Sequence, residues 1–505
     1  MLENLMKEFL RILPRFYENS GLDLFSSTKE YILKVFSRDI QNHRSLDEIE
    51  HDFYNLIICK VQYFRYDELI FIVEFMREQY CQKLHPKEHL FRMNEFNEIA
   101  LHLQKICLQL GNQGFQNNAV LYENTNLDEL FELIKLYNIF ILNMEYYKAL
   151  GREISDINLF EPIKDEKVDQ FFDECAELYT SRKIEQEEII DPRLRQYLVR
   201  KRLMPELIMK RANHSIETIL GFRVSDLDII VNNLHLLDRD SKIKDHYYVS
   251  KDRFKKLFKK YLDVQTICNI IEYFSIIRLF KAEIEVSTRH LELRCFYEEG
   301  KCIKFGKYTF IEVVTIFKNI CFSGHFMGEM IIDKKNKSLF SELQQDMSLF
   351  FSYKLADFIE SQGFILPRDP DEPDIVYVDI KKIINKKGKT IAFNDIDILA
   401  YKPAKKLIYN FELKYYKAAM SHRELVFDKI ENKVYQQIAL REKLIAENLC
   451  DILDILFGII DWKDVKVKSV IITARPSFGG VTSENKNISC YSWNRLAKEV
   501  KAGIF

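Results

Sequence analysis

Glycine and proline are scarce in this 505-residue sequence, which contains 15 Gly and 10 Pro. Typical proteins have about 7% Gly and 5% Pro, so few positions here suit tight turns, and a helix-rich fold is favoured over an all-β fold. Long hydrophobic runs are missing too. The most apolar stretches, residues 69–76 and 136–142, fall far short of the roughly 18 residues that span a bilayer, so we expect no membrane partner.

Cysteine pairs and several common catalytic motifs are also missing. The ten cysteines occur singly, with no CxxC, as is typical of reduced thiols in a cytoplasmic protein. The first residues lack the uninterrupted apolar core of a signal peptide, so we expect a cytoplasmic location. There is no G-x-x-x-x-G-K-[ST], HExxH or G-x-S-x-G string, which argues against an NTPase motor, a zinc site of that type and a nucleophile elbow.

Charge is balanced over the whole chain but not along it. The net charge is −2, yet residues 151–191 carry −8 and residues 192–213 carry +6. The basic block includes Arg200, Lys201 and Arg202. It fits either contact with a nucleic-acid backbone or neutralisation of the acidic stretch beside it. The change of sign predicts a domain boundary near residue 195.

Apolar periodicity predicts three domains. Residues 1–195 show helical spacing, with a capping box at Ser45 and Glu48, and predict an α-helical domain. Residues 196–335 predict a mixed α+β domain with a short β-meander near 290–311. Residues 336–505 predict an α/β domain with a central mixed sheet. Its expected elements are a helix ending at Gly363, strands near 374–380, 393–401 and 407–415, a long helix near 422–449, a strand at 466–473, and a terminal strand and helix from 488 onward.

One pair of strands in the last domain carries unusual charges. The runs NDIDILA (394–400) and YNFELKYYK (409–417) predict an antiparallel hairpin. Residues two apart in a strand share a face, so Glu412 and Lys414 point the same way and Asp397 can lie opposite them. Apolar residues would fill such positions at lower cost. Two neighbouring carboxylates suit Mg²⁺, and a nearby lysine can orient a metal-bound water.

This arrangement resembles the PD-(D/E)xK nuclease superfamily, which has the restriction-endonuclease-like fold. The resemblance rests on Asp397, Glu412 and Lys414 within a hydrophobic hairpin and covers residues 340–505. It implies that Asp397, Glu412 and the carbonyl of Leu413 bind Mg²⁺ or Mn²⁺ and that Lys414 orients the water that attacks a phosphodiester. Asn394 and Asp395 stand where the family usually has Gly and Glu.

The helix after the hairpin carries polar residues along its apolar face. Gln437 and Arg441 follow the core stripe of this helix. Similar nucleases often use a Gln or Lys on this helix to contact substrate, which implies such a role for Gln437, as a catalytic residue, and for Lys433, as a nucleic-acid contact. A solvated helix edge is the alternative for both.

The first helix of this domain departs from the family pattern. Relatives carry a Glu about 12 residues before the Gly-aromatic pair, where this chain has Phe351 or Ser352. Asp346 or Glu342 would substitute only if the helix extends back and turns suitably. Asp374, which follows Pro373, is expected to begin a strand and not to bind metal.

Local charge favours a nucleic-acid substrate. Residues 380–417 contain ten lysines and three acids, a net charge of +7. Lys405 and Lys406 in the hairpin turn are therefore expected nucleic-acid contacts, together with the block at Arg200, Lys201 and Arg202.

The resemblance implies a deoxyribonuclease, of the kind that often acts in restriction or antiphage defence. The helical region is expected to sense a target, contact a partner or form a homo-oligomer. Two alternatives stay open: a ribonuclease of the same fold, and a catalytically inert nuclease fold that serves as a nucleic-acid-binding or scaffold protein.

Overall fold

A computed structural model describes eleven stretches of the chain. They are residues 45–83 (without 63 and 65), 100–107, 127–150, 189–240, 245–276, 291–322, 334–380 (without 370, 377 and 379), 396–415, 432–459, 462–475 and 488–503. The helices are α1 (Leu46–Val61), α2 (Tyr66–Lys83), α3 (Leu127–Leu150), α4 (Pro192–Arg200), α5 (Pro205–Leu220), α6 (Val224–Asn232), α7 (Lys251–Phe258), α8 (Val264–Phe274), α9 (Lys307–Phe322), α10 (Lys334–Ser361), α11 (Asn432–Glu447), α12 (Leu449–Phe457) and α13 (Trp493–Lys501). The strands are β1 (His246–Ser250), β2 (Tyr297–Glu299), β3 (Cys302–Gly306), β4 (Ile398–Lys402), β5 (Leu407–Lys414), β6 (Lys466–Thr473) and β7 (Ser489–Ser492). Within these stretches, no helix is both long enough and apolar enough to cross a membrane.

The chain divides into two compact units. Unit 1 comprises Met1–Ile163, Asn213–Asn319 and Met327–Lys334, and unit 2 comprises Lys164–Ala212, Ile320–Phe326 and Lys335–Phe505. This division differs from the expected three domains in two ways. Most of the helical N-terminal region and most of the mixed middle region share one unit, and residues 164–212 belong with the C-terminal region.

Helices α1 and α3 form an aromatic and aliphatic core in unit 1. The ring of Phe53 on α1 makes edge-to-face contacts with Tyr137 and Phe140 on α3, at centroid distances of 5.6 and 6.3 Å. The expected capping box is present at the start of α1, where the Ser45 hydroxyl accepts from the Glu48 amide and the Glu48 carboxylate accepts from the Ser45 amide. The helical pattern is therefore confirmed for these segments.

Unit 1 also contains a three-stranded antiparallel sheet in the order β1-β3-β2. The hairpin β2–β3 lies within the expected meander, whereas β1 lies outside it. Phenylalanine rings cover the sheet: Phe296 packs against Phe305 at 4.8 Å and stacks on Phe310 of α9 at 5.4 Å. These phenylalanines are thus part of the core of unit 1.

Unit 2 is built on the expected mixed sheet, with the strand order β4-β5-β6-β7. Strands β4 and β5 are antiparallel, and β5–β6 and β6–β7 are parallel. On the outer edge of β4, Ile365 forms an isolated antiparallel bridge with Tyr401. Of the strand expected near residues 374–380, the described residues show one bridge, between Arg368 and Val376.

Helices cover both faces of this sheet. On one face, Phe364, three residues after α10, packs on Tyr409, and Phe351 of α10 packs on Tyr415. On the other, Ile438 of α11 packs in one cluster with Ile471, and Ile445 lies with Leu399 and Ile408. Odd-numbered residues of β5 therefore face α10, and even-numbered residues face α11.

Residues 189–212 join unit 2 through polar contacts as well as packing. The Asp357 carboxylate of α10 accepts hydrogen bonds from the amides of Ile190 and Asp191, at 2.8 and 3.1 Å, just before α4. Arg193 of α4 pairs with Asp374 at 2.8 Å. The boundary expected at residue 195 from charge alone falls inside α4, a helix whose Arg193 pairs with an acid far along the sequence.

Candidate active site

The hairpin β4–β5 places the predicted acids opposite each other. Its turn is a short 3₁₀ segment, Pro403–Lys405, followed by Lys406 in the left-handed region at φ +50°. This turn sets a register in which Ile398 lies opposite Phe411. Continuing the register by one residue brings Asp397 opposite Glu412, on the face of the sheet that α11 covers. The predicted pairing across the hairpin is therefore present.

Glu412 and Lys414 pair directly, and Asp397 is bonded to the backbone of the residue between them. The amide of Leu413 donates to Asp397 Oδ2 at 2.7 Å. Lys414 Nζ lies 2.8 Å from Glu412 Oε1. The Glu412 side chain is buried at 6% exposure, while the Lys414 side chain is 28% exposed. Asp397 is half-buried, so the cluster reaches solvent at both Asp397 and Lys414, while Glu412 is buried between them.

The electrostatic setting of Asp397 is unusual for a carboxylate. Burial, and then the negative charge of Glu412, raise its pKa to about 6 from an ordinary value of 3.8, against the opposing effects of the Leu413 amide, Lys414 and Arg441. Two carboxylates held this close repel each other. A positive ligand placed between them would relieve that repulsion, which is a common property of metal-binding acid pairs.

Arg441 is a fourth charged member of the cluster. Its Nη1 contacts Glu412 Oε2, and its side chain is buried at 8% exposure. Arg441 points toward the sheet because Ile438 and Ile445, three residues before it and four after it, anchor the same face of α11 in the core. From the sequence, Arg441 was expected on this face of the helix, but no role was assigned to it. Its spacing from Ile438 and Ile445 was the signal that its side chain points toward the sheet.

Asn410 is a further polar residue that the sequence did not single out. It lies two residues before Glu412 on the same face of β5 and is fully buried. Its Nδ2 donates to Ser469 Oγ of β6 at 3.1 Å. This pair is a buried polar contact beneath the charged cluster.

Gln437 and Lys433 lie on α11 at successive four-residue steps before Arg441. Lys433 is exposed and Gln437 is half-buried. The step from Lys433 to Arg441 covers about 12 Å of helix. The three residues thus mark a polar line along α11 that leads from solvent to Glu412.

The hairpin-turn lysines lie away from the acids. Lys405 and Lys406 are exposed at the end of the hairpin opposite to Asp397 and Glu412. Six residues of extended strand separate Lys406 from Glu412, or about 20 Å. These lysines therefore cannot touch the same phosphate as the acid cluster.

The positions of α10 considered from the sequence for a further metal-binding acid do not place a carboxylate beside Asp397 in the described contacts. Phe351 is buried against Tyr415 and Trp493, on the opposite face of the sheet from Glu412. The hydroxyl of Ser352 donates to the carbonyl of Ser348 within the helix. Asp346, one of the proposed substitutes, pairs with Arg211 at 2.7 Å.

Glu342, the other substitute, is exposed, and the contacts of the described residues do not bring it to the acid cluster. Asp374, which was expected to begin a strand, lies in a turn and pairs with Arg193. The departure from the family pattern in the first helix therefore persists in the structure.

The basic block at residues 200–202 is on the surface of unit 2. Arg200 pairs with Glu372, and Lys201 Nζ lies 5.5 Å from the Tyr197 ring centre. Arg202 is exposed and has a left-handed backbone at φ +59°. The block is thus partly neutralised by Glu372 in an acidic loop at residues 369–374, and residues 151–188 of the acidic stretch lie outside the described residues.

The donor set fits a hard divalent cation. Mg²⁺ is commonly held by only one or two carboxylates, with water and substrate phosphate completing its shell, and Asp397 with Glu412 supplies two. Among the described residues, no group of three or more His, Cys, Asp or Glu side chains forms a metal cluster. The pair therefore suits a metal that keeps several waters and not a fully protein-enclosed ion.

Comparisons of the chain with protein-family models, with curated proteins and with solved structures give no match in any of the three.

Proposed function

We propose that unit 2 is a metal-dependent nuclease of the PD-(D/E)xK type, which hydrolyses phosphodiester bonds of nucleic acid. The observation that carries this proposal is the meeting of Asp397 and Glu412 at one end of the hairpin, with Lys414 Nζ 2.8 Å from Glu412. The strand order and the helix layers on both faces of the sheet are compatible with the restriction-endonuclease-like fold. We include that fold in the proposal.

The residues would divide the work as follows. Asp397 and Glu412, with the carbonyl of Leu413, would hold Mg²⁺ or Mn²⁺. The bound metal supplies a water of lowered pKa and stabilises the charge that develops on phosphate oxygens. Lys414, which is partly exposed beside Glu412, would orient the attacking water and add positive charge near the phosphate.

Nucleic acid would approach along α11. The line from Lys433 through Gln437 to Arg441 runs from solvent to the acid cluster, so it can follow a phosphate backbone toward the metal. Lys405, Lys406 and the block at residues 200–202 would contact other nucleotides. DNA is the proposed substrate because the resembling nucleases mostly cut DNA, and RNA is the alternative. Unit 1 would sense a target or hold a partner, as in antiphage defence systems.

A substrate panel tests this proposal. Purified protein would be incubated with supercoiled plasmid, linear duplex, single-stranded DNA and RNA, in Mg²⁺, Mn²⁺ or EDTA. The proposal predicts cutting that requires metal and is lost in Asp397→Ala and in Lys414→Ala. Asp374→Ala is the matched control, because Asp374 follows a proline as in the family motif but pairs with Arg193 on the surface. The preferred substrate distinguishes a deoxyribonuclease from a ribonuclease.

One observation favours a second candidate, an inert nuclease fold that binds nucleic acid. Both Glu412 oxygens already contact cations, Lys414 and Arg441, so the free protein holds this acid without metal. If the fold is inert, nucleic-acid binding would survive Asp397→Ala. Charge reversal of Lys201 would lower the affinity for nucleic acid and make that affinity depend less steeply on salt, as measured by filter binding or fluorescence anisotropy.

A further inference from the structure

Each oxygen of Glu412 is engaged by a different cation. Lys414 Nζ lies 2.8 Å from Oε1, and Arg441 Nη1 contacts Oε2. The lysine side chain is 28% exposed and comes from the same strand, so it can turn toward solvent. The arginine side chain is 8% exposed and comes from a helix whose neighbouring residues are in the core. Of the two contacts, the one with Arg441 is the more firmly held.

The formal charges of the cluster cancel. Asp397 and Glu412 contribute two negative charges, and Lys414 and Arg441 contribute two positive charges. An arginine side chain carries a formal positive charge spread over its guanidinium, and Arg441 brings that charge to Glu412. A divalent cation that enters this cluster meets a formal net charge of zero, and the buried guanidinium of Arg441 already contacts Glu412, one of its expected ligands.

We propose that Arg441 keeps Glu412 occupied in the free protein, so that divalent metal binds weakly until the phosphates of a nucleic acid arrive and draw Arg441 away. This inference rests on the proposed function, since it takes Asp397 and Glu412 as the metal ligands. Arg441 is a positioning residue in this account. Because coupling between two ligands is reciprocal, metal would also strengthen nucleic-acid binding by the same factor.

The direct test is a titration of Mn²⁺ into the full-length protein without nucleic acid. Free Mn²⁺ is measured by electron paramagnetic resonance. Arg441→Gln removes the charge and keeps an amide donor for Glu412, and it should bind Mn²⁺ at least tenfold more tightly than the wild type. Arg441→Lys keeps the charge and should bind like the wild type. Lys443→Gln is the matched control: it removes one positive charge from the same helix, at a side chain that is 73% exposed, and should change the affinity less than twofold.

A second arm uses the wild type alone and does not depend on the folding of Arg441→Gln. Mn²⁺ would be titrated with and without a phosphorothioate duplex whose integrity is checked on a gel afterwards. The wild type should bind Mn²⁺ at least tenfold more tightly with the duplex. An unchanged affinity in the wild type would overturn the inference, as would an Arg441→Gln protein that folds by circular dichroism and binds Mn²⁺ no more tightly than the wild type.

Failure of this inference and failure of the proposed function give different results. If Arg441→Gln does not tighten Mn²⁺ binding while Asp397→Ala still abolishes binding and cutting, the inference is wrong and the nuclease proposal stands. If Asp397→Ala leaves Mn²⁺ binding unchanged in both the wild-type and the Arg441→Gln backgrounds, the metal does not sit between these acids, and both proposals are wrong.

Discussion

The contact between Arg441 and Glu412 should be a large local contribution to the stability of unit 2. Both side chains are less than a tenth exposed. Breaking a buried ion pair by removing one partner costs about 3–5 kcal/mol, because the other charge is left in the protein interior. Glu412 retains Lys414 at 2.8 Å, so we expect the lower end, about 3 kcal/mol, for Arg441→Met.

A double-mutant cycle separates this contact from other effects. Glu412→Gln strands the buried guanidinium and should also cost about 3 kcal/mol. The double variant removes both charges, so its free energy of unfolding should fall by about 3 kcal/mol and not by the sum of the single losses, about 6 kcal/mol. The difference, about 3 kcal/mol, is the coupling energy between the two side chains and lies near the upper end of measured values. Lys443→Met is the control for loss of a positive charge on the same helix, and because its side chain is 73% exposed it should cost less than about 0.5 kcal/mol.

Tryptophan fluorescence during urea unfolding is a suitable assay. The two tryptophans of the chain, Trp462 and Trp493, both belong to unit 2, so the signal reports on the unit that contains the contact. The titrations would be run at neutral pH in EDTA to exclude metal. If the double variant loses the sum of the two single losses, the side chains do not interact and the geometry of the cluster as described is wrong.

Two further predictions concern buried carboxylates elsewhere in the chain. Burial raises the pKa of Glu74 to about 8 from 4.5, so its contribution to stability is fully present below about pH 4.5 and is lost as pH rises through about 8, by at most about 5 kcal/mol. In calorimetry, the melting temperature of Glu74→Gln should therefore depend less on pH than that of the wild type. An unchanged pH profile would contradict this. Asp357→Ala removes the acceptor for the amides of Ile190 and Asp191 and should destabilise unit 2 by about 2 kcal/mol in the urea assay. The control Asp346→Ala breaks a partly exposed ion pair and should cost less than about 1 kcal/mol. Equal losses in the two variants would show that Asp357 does not hold residues 190 and 191 on unit 2.

Local sequence patterns predicted the central strands of unit 2 well. Strand β6 has the bounds expected for it, Lys466–Thr473, and β5 was expected to within one residue, because continuous apolar runs with β-branched residues identify buried strands. The end of α10 was also predictable. Gly363 adopts φ +81°, a left-handed conformation that glycine favours after a helix.

Features that depend on distant contacts could not be predicted in the same way. Strand β1 is five residues long and pairs with β3, more than fifty residues later, so no local pattern identifies its partner. The boundary expected at residue 195 lies inside α4, and the pairing of Arg193 with Asp374 is another distant contact that the local sequence does not show. At the site, alternation along strands placed Glu412 and Lys414 on one face, but only the packing of α11 shows that Arg441 reaches Glu412.

The measurement that tests the central claim most directly is the rate of Mg²⁺-dependent plasmid cleavage by the wild type, Asp397→Ala and Asp374→Ala. We predict that Asp397→Ala lowers the rate by more than about 100-fold, because Asp397 is a ligand of the metal in the proposed function. We predict that Asp374→Ala stays within about twofold of the wild type. Cleavage by Asp397→Ala at the wild-type rate would contradict the claim that Asp397 and Glu412 form the catalytic metal site.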